Sequence, residues 1–141
     1  MSKFQMSSAQ LEELRAHTLI CMPQEACALL IGRREKSGNW QVSRVAVAKN
    51  IAEHKEKFFE VDPALRIGLE RDLRDQDDEI IGVFHSHPNG HAEPSKSDES
   101  MIIERHLIWL VASIDGALSF EIGAYQAGPI RGFKSIPLVI T

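Results

Sequence analysis

Hydrophobic residues along this chain recur with the period of a helix in some segments and occur in short strand-like runs in others. The first of these segments has the helical period. Ser7 is followed three residues later by Gln10, a spacing typical of an N-terminal capping box. A loose apolar stripe of helical period comes next and stops before a helix-breaking residue. The apolar stripe consists of Leu11, Leu14 and Leu19, and the helix-breaking residue is Pro23. We therefore predict a helix that begins at Ser7 or Ser8 and ends before the proline.

Most of the remaining apolar positions occur in short runs that are typical of strands. These runs are residues 26–32, 40–50, 57–61, 79–87, 107–113, 118–126 and 130–140. The turn residues Asp115 and Gly116 predict that the strands on either side of them pair in antiparallel fashion. Because Pro137 has no backbone N–H to donate, the last run is predicted as an edge strand.

Two further helices are predicted between the strands. Asp62 and Pro63 fit an N-cap and a first helical position, and an apolar edge follows them. The residues of that edge are Leu65, Leu69 and Leu73. Residues 95–106 begin like another capped helix. Since helices interleave with an apolar sheet, we predict an α/β fold, a mixed β-sheet flanked by helices in a single domain over residues 1–141.

Composition narrows the classes of function. The chain has 141 residues, a net charge of −4 and a pI of about 5.8, so it lacks the positive surface expected of a nucleic-acid binder. Its apolar runs are far shorter than a membrane span, and its first residues do not resemble a secretory signal. Cys21 and Cys27 are too few for a disulfide framework. We expect a cytoplasmic protein that binds neither nucleic acid nor membranes.

The segment that follows the strand at 79–87 carries candidate metal ligands. His85 and His87 are two residues apart on a predicted strand, so their side chains point to the same face. Pro88 ends the strand, and the loop after it allows Asp98 to approach from the first turn of the next helix. Two nitrogens and one carboxylate oxygen leave a fourth tetrahedral position open, as in catalytic zinc sites.

The spacing of these residues is more specific than the histidine pair alone. A chain of this composition contains an H-x-H by chance with a probability of about a quarter. Requiring Ser95 and Asp98 at their fixed distances lowers that probability to roughly one in a thousand. Glu25, which opens a buried strand, adds a further condition.

These residues match the JAMM (MPN+) zinc metallopeptidase pattern, which the chain therefore resembles. The pattern is an upstream glutamate, H-x-H, seven residues, serine, two residues and aspartate; here it is Glu25, His85, His87, Ser95 and Asp98. The segments PQEACALLIG and FFEVDP, with Asn50 between them, also resemble the short stand-alone bacterial members. One departure is Ala28, which stands where many relatives have glycine.

The resemblance implies roles for the matched residues. One Zn²⁺ per chain is expected on His85, His87 and Asp98, with Glu25 as the general base and Ser95 as the donor to the oxyanion. No other cofactor-binding residues are expected. The implied fold is the MPN fold, whose core is like that of cytidine deaminases.

Several of these residues also have ordinary structural interpretations. Ser95 and Asp98 have the spacing of a helix capping box, and a glutamate such as Glu25 is commonly a surface residue. Ser86 lies between two residues of the same face, so it should point away from them and act structurally. His91 is a fourth ligand, a substrate contact or, as we prefer, an exposed loop residue. Cys27 is interpreted as a small buried hydrophobe.

The resemblance also implies the kind of substrate. We expect hydrolysis of a peptide or isopeptide bond at the C-terminal Gly-Gly tail of a ubiquitin-like or sulfur-carrier protein. The alternative is a non-catalytic MPN module that acts as a scaffold in a complex. A zinc deaminase would need H-x-E and P-C-x-x-C, both of which are absent. DNA-repair relatives would carry a helical DNA-binding region, which we do not find. The apolar C-terminal strand is a pairing edge on which a homodimer could form.

Overall fold

A computed structural model describes residues 2–88, 90–100, 104–115 and 119–141. Within these residues the chain forms three helices and eight strands. In chain order they are β1 (Phe4–Met6), α1 (Ser8–Cys21), β2 (Cys27–Arg34), β3 (Trp40–Ala48), α2 (Pro63–Asp72), β4 (Glu79–Pro88), α3 (Lys96–Ser100), β5 (Ile108–Ile114), β6 (Phe120–Ala127), β7 (Phe133–Ile136) and β8 (Leu138–Ile140). No helix among the described residues is long and apolar enough to cross a membrane.

The strands form one mixed sheet in the order β7-β6-β5-β4-β2-β3-β1-β8. β4 pairs in parallel with β5 and in antiparallel fashion with β2, and β1 is parallel to both of its neighbours. The predicted α/β fold with a mixed sheet is therefore confirmed. β4 is the fourth of the eight strands in this order, so its two histidines lie at one end of a central strand.

Each face of the sheet is covered by a different helix. On one face, Leu14 and Leu11 of α1 join a core that contains Phe84 of β4. On the other face, Leu69 of α2 packs into a second core with Val83 of β4. From Val83 onward, alternation along β4 places odd-numbered residues on the α2 side, which is the face that also carries the two histidines. Ile80 and Ile81 have the opposite phase, because the pairing with β2 shifts register before Gly82.

The N-terminal capping residues predicted for the first two helices are confirmed. Ser7 and Gln10 exchange the two hydrogen bonds of a capping box, at 2.8 and 3.1 Å. Asp62 accepts from the N–H of Ala64, and Pro63 begins α2 as predicted. The third predicted helix, over residues 95–106, forms only over Lys96–Ser100 among the described residues. Residues 104–106 are not helical, and residues 101–103 lie outside the described part of the chain.

Three strand predictions were wrong or incomplete. Residues 57–61 do not form a strand and contribute only one bridge, between Asn50 and Val61. The tail predicted as one edge strand forms two strands, β7 and β8, which lie at opposite edges of the sheet. The short strand β1 was not predicted at all. The antiparallel pairing of β5 with β6 is confirmed, although residues 116–118 of the predicted turn lie outside the described residues.

The C-terminal tail curls the sheet until its two edges approach each other. Only Pro137 separates β7 from β8, so the outermost strands of the sheet are consecutive in sequence. The carbonyl of Pro137 accepts from the N–H of Phe4 at 2.8 Å, and the N–H of Thr141 donates to Met6 at 3.0 Å. The tail therefore connects the first and the last third of the chain.

Candidate metal centre

β4 carries two histidines on one face near its end. His85 is fully buried and lies in the sheet opposite Cys27 of β2 and Val111 of β5. His87 is half-buried at the rim of the molecule. Ser86, between them, points to the opposite face, where its hydroxyl oxygen accepts from the N–H of Ala26 at 2.8 Å. The alternation predicted from the sequence therefore brings both imidazoles to the same side.

Asp98 reaches both histidines from the short helix α3. Its Oδ2 lies 2.9 Å from Nε2 of His85 and 3.0 Å from Nε2 of His87. The two Nε2 atoms are themselves 3.0 Å apart. Asp98 is held by Ser95: the Ser95 N–H donates to Asp98 Oδ2 at 2.9 Å, and the Asp98 N–H donates to Ser95 Oγ at 3.1 Å. The capping box allowed by the sequence is formed, and it aims the carboxylate at the imidazoles.

The three converging atoms form a donor set that fits a divalent cation. His87 Nδ1 lies 2.9 Å from the carbonyl oxygen of His91, so Nδ1 carries a proton. In the neutral ring, Nε2 of His87 then presents a lone pair to Nε2 of His85 and to the carboxylate of Asp98. Facing lone pairs repel each other unless a cation or a proton lies between them. Ligands of tetrahedral zinc lie roughly 3.3 Å apart, close to the separations observed here.

Aromatic rings enclose the inner histidine. Phe59 stacks on the ring of His85 with centroids 4.3 Å apart and an interplanar angle of 14°, and Trp109 meets it edge-on at 5.3 Å. Nδ1 of His85 is buried and has no hydrogen-bond partner among the described residues. Burial lowers the pKa of His85, although the neighbouring carboxylate of Asp98 opposes this change. The lowered pKa favours the neutral ring that a metal ligand requires. Neither aromatic residue was identified as part of the site from the sequence.

The environment also keeps Asp98 ionised. Although burial acts in the opposite direction, the imidazoles of His85 and His87 beside its carboxylate bring the pKa of Asp98 well below its usual range. Burial likewise opposes protonation of His87, but the bonds to Asp98 and to the His91 carbonyl raise its pKa. The centre therefore attracts positive charge, and protons would compete with a metal ion for it at acid pH.

Glu25 lies beside the histidine pair, just before β2. Its side chain is only 5% exposed, and a carboxylate oxygen lies within 4.8 Å of ligand nitrogens of both His85 and His87. Burial raises the pKa of Glu25 to about 7; His87 opposes this rise and Asp98 adds to it. A carboxyl group with this pKa can both accept and return a proton near neutral pH.

A cleft of about 380 Å³ opens over these residues. Glu25, His87 and Ser95 line it, together with the loop residues His91 and Pro94. Ser95 is exposed, and its Oγ uses a lone pair for the α3 cap, so its hydroxyl proton can point elsewhere. The His91 side chain is exposed, and the contact it makes with the centre is through its carbonyl. The structure thus brings all five residues of the predicted pattern into one site.

Comparison with known proteins identifies a family and a fold. The family described as prokaryotic homologs of the JAB domain matches residues 7–124 of the chain. A solved structure from Desulfitobacterium hafniense superposes with a TM-score of 0.85 at 27% identity, covering 98% of this chain and 92% of that one. A structure from Salinibacter ruber, with a TM-score of 0.74 at 22% identity, covers 97% and 91% and supports the fold alone.

Curated relatives with named activities are more distant. A desampylase from Haloferax volcanii is 25% identical over 69% of this chain and 68% of its own length. A probable TtuB-protein conjugate cleaving protease from Thermus thermophilus is 34% identical over 62% of this chain and 55% of its own. A CysO-cysteine peptidase from Mycobacterium tuberculosis is 26% identical over 79% and 73%.

Proposed function

This chain belongs to the family of prokaryotic homologs of the JAB domain, and on that premise we propose that it is a zinc-dependent peptidase. Its substrate would be an amide bond at the C-terminal Gly-Gly tail of a ubiquitin-like or sulfur-carrier protein. One observation carries the proposal: Nε2 of His85, Nε2 of His87 and Oδ2 of Asp98 meet within 3.0 Å of one another, beside a buried glutamate.

His85, His87 and Asp98 would hold one zinc ion. An ion held there would supply Lewis-acid chemistry, which polarises a substrate carbonyl and makes water acidic enough to act as a nucleophile near neutral pH. The chain supports this donor set with two fixed contacts, from Ser95 N–H to Asp98 and from His87 Nδ1 to the His91 carbonyl. Such outer contacts orient ligands and select the ring nitrogen that binds.

Glu25 would act as the general base and then as the general acid. Its carboxylate accepts a proton from the water whose oxygen attacks the amide carbon. When the C–N bond breaks, the same carboxyl returns that proton to the leaving nitrogen, so the group ends the cycle ionised. A pKa of about 7 suits both transfers.

Ser95 would donate a hydrogen bond from its hydroxyl to the oxyanion of the tetrahedral intermediate. Ser95 lines the cleft, and its Oγ accepts one hydrogen bond, from the Asp98 N–H. The hydroxyl hydrogen of Ser95 is therefore available to a group bound in the cleft. A donor already held in place before the reaction stabilises negative charge more effectively than water does.

Replacing Ser95 with alanine should lower kcat by about 10²–10³-fold, because an oxyanion donor is lost. Steady-state kinetics with metal analysis of the same sample would measure this. Ser97 lines the same cleft, so Ser97→Ala is a matched control that should keep its activity. If Ser95→Ala kept the wild-type rate, Ser95 would only cap α3. If it lost zinc as readily as activity, the cap would explain both losses.

The substrate proposal is supported by the names of the relatives and by the form of the cleft. The relatives include a probable TtuB-protein conjugate cleaving protease and a CysO-cysteine peptidase. Pro88 and Pro94 line the cleft together with the proposed ligand His87. Glycine residues let a substrate backbone approach such a centre closely, because they have no side chain to exclude. The two cysteines are free thiols, which is compatible with the proposed cytoplasmic location.

The direct test uses small carrier proteins whose Gly-Gly tail is extended by a cysteine residue or joined to a lysine side chain. We expect the zinc-loaded protein to release the carrier ending in Gly-Gly, as measured by intact mass. A chelator should stop the reaction and added zinc should restore it. Matched carriers with an Ala-Ala tail should be cleaved much more slowly. A protein that bound no zinc and cleaved neither carrier would instead favour the non-catalytic scaffold.

A further inference from the structure

No hydrogen bond from another described residue orients the carboxyl group of Glu25. Its Oε1 is buried and has no partner, and its side chain makes no hydrogen bond to any residue in the described part of the chain. A general base must nevertheless be held within a fraction of an ångström to be effective. The orientation of this side chain therefore depends on how the backbone of Glu25 is held.

The backbone of Glu25 is held from both sides by the segment that follows β3. Its N–H donates to the carbonyl of Lys55 at 2.8 Å. Its carbonyl accepts from Nδ2 of Asn50 at 3.0 Å. Asn50 is 8% exposed, so this bond lies away from solvent. A buried donor that lost its partner would cost about 1–3 kcal/mol, so the contact is a strong constraint.

Asn50 uses its whole hydrogen-bonding capacity in this region. Besides the bond to Glu25, Nδ2 donates to the carbonyl of Phe58 at 3.0 Å. Oδ1 accepts from the N–H of Ala52 at 3.0 Å and from the N–H of Glu60 at 3.1 Å. An asparagine amide offers two donor hydrogens and two acceptor sites, and all four are engaged.

Two of these bonds bracket a residue that contacts the metal centre. Phe58 and Glu60 are the neighbours of Phe59, whose ring stacks on His85. The amide of Asn50 is thus connected in one direction to the proposed base and in the other to the ring that covers a proposed ligand. No other described side chain bonds to both of these segments.

We propose that Asn50 is a positioning residue that sets the placement of the Glu25 carboxyl relative to the histidine pair. Its effect on catalysis rests on the proposed peptidase function, whereas its hold on Glu25 does not. Because Asn50 touches none of the three proposed ligands, it should control turnover without controlling whether the ligands bind zinc.

Asn50→Asp tests this directly, since the carboxylate keeps the size and the acceptor oxygen of asparagine but loses both donor hydrogens. We expect kcat to fall by about 10²-fold, with KM and zinc content close to those of the wild type. Asn50→Ala removes the same donors without adding a charge and should show the same split. Asn39→Asp is the matched control. The Asn39 side chain accepts from the N–H of Lys3, which an aspartate can also do, so its kinetics should be unchanged.

Amide hydrogen exchange at Glu25 provides a readout that does not depend on activity. The Glu25 N–H is bonded to Lys55, and we expect it to exchange faster in Asn50→Asp than in the wild type. A wild-type kcat in Asn50→Asp would overturn the proposal, as would a fall in kcat that only follows loss of zinc or of melting temperature. If the wild type cleaved no substrate, the peptidase function would fail, and the exchange rate alone would decide whether Asn50 holds Glu25.

Discussion

Replacing Glu25 with glutamine should lower kcat by about 10²–10⁴-fold while the protein still folds and binds zinc. Glutamine has nearly the same shape but cannot accept the proton of the attacking water. The carboxyl is buried and its pKa is raised to about 7, so the folded protein does not depend on its charge for stability. The expected result is a folded, metal-loaded and nearly inactive protein.

Single-turnover kinetics and metal analysis of one preparation would establish this combination. Glu13, an exposed residue of α1, supplies the matched control, since Glu13→Gln makes the same chemical change far from the cleft. Turnover of Glu25→Gln at the wild-type rate would remove Glu25 from the mechanism. Loss of zinc in Glu25→Gln would mean that Glu25 is itself a ligand. The experiment tests this because the Glu25 carboxylate lies close to both histidines.

Replacing His87 with alanine should remove zinc from the purified protein and lower activity by about 10³-fold or more. A catalytic metal supplies several kcal/mol of stabilisation to the transition state, and each 1.36 kcal/mol is about tenfold in rate. His87 supplies one of the three converging donor atoms, and its loss leaves His85 and Asp98 as a pair. Zinc content per chain and affinity measured by chelator competition would quantify the loss.

His91 provides a sharp control for this experiment. Its side chain is exposed in the same cleft, whereas its contact with His87 is made by the backbone carbonyl, which alanine retains. His91→Ala should therefore bind zinc normally. Full zinc occupancy in His87→Ala would contradict the ligand assignment, and loss of zinc in His91→Ala would identify His91 as an additional ligand.

The parts of the site that the sequence predicts are those determined by local geometry. Two histidines separated by one residue share a strand face whatever the rest of the fold, and the spacing of Ser95 and Asp98 defines a helix cap by itself. The structure shows both features. In contrast, Phe59 and Trp109 reach His85 from segments far away in sequence, so no periodicity within their own segments could indicate that contact.

The failed strand prediction at residues 57–61 has a physical cause that concerns the same site. The aromatic, β-branched pattern there is typical of a strand, whose backbone groups would normally pair with a neighbouring strand. Here the carbonyl of Phe58 and the N–H of Glu60 bond instead to the side chain of Asn50. One side-chain amide thus takes two of the bonds that a neighbouring strand would make, beside the single backbone bridge of Asn50 with Val61. A propensity argument cannot anticipate this pairing with a side chain.

The edge strands were difficult for a different reason. β1 has three residues, which is too short for a period-two pattern to be recognised. The prediction that Pro137 lies outside the interior of a strand is confirmed. The sequence did not indicate that this proline divides the tail into two strands. Which edge each strand joins is decided by the curl of the whole sheet, a property that no segment carries alone.

The pairing of Phe4 with Leu138 has a consequence for the order in which the molecule assembles during translation. β1 can join β3 early, once Trp40 has left the ribosome, but its second neighbour, β8, emerges only after all the other strands of the sheet. The proposed base and ligands all precede that point. A nascent chain can thus form the centre of the sheet first, and the slow, long-range pairing of β1 with β8 would follow it.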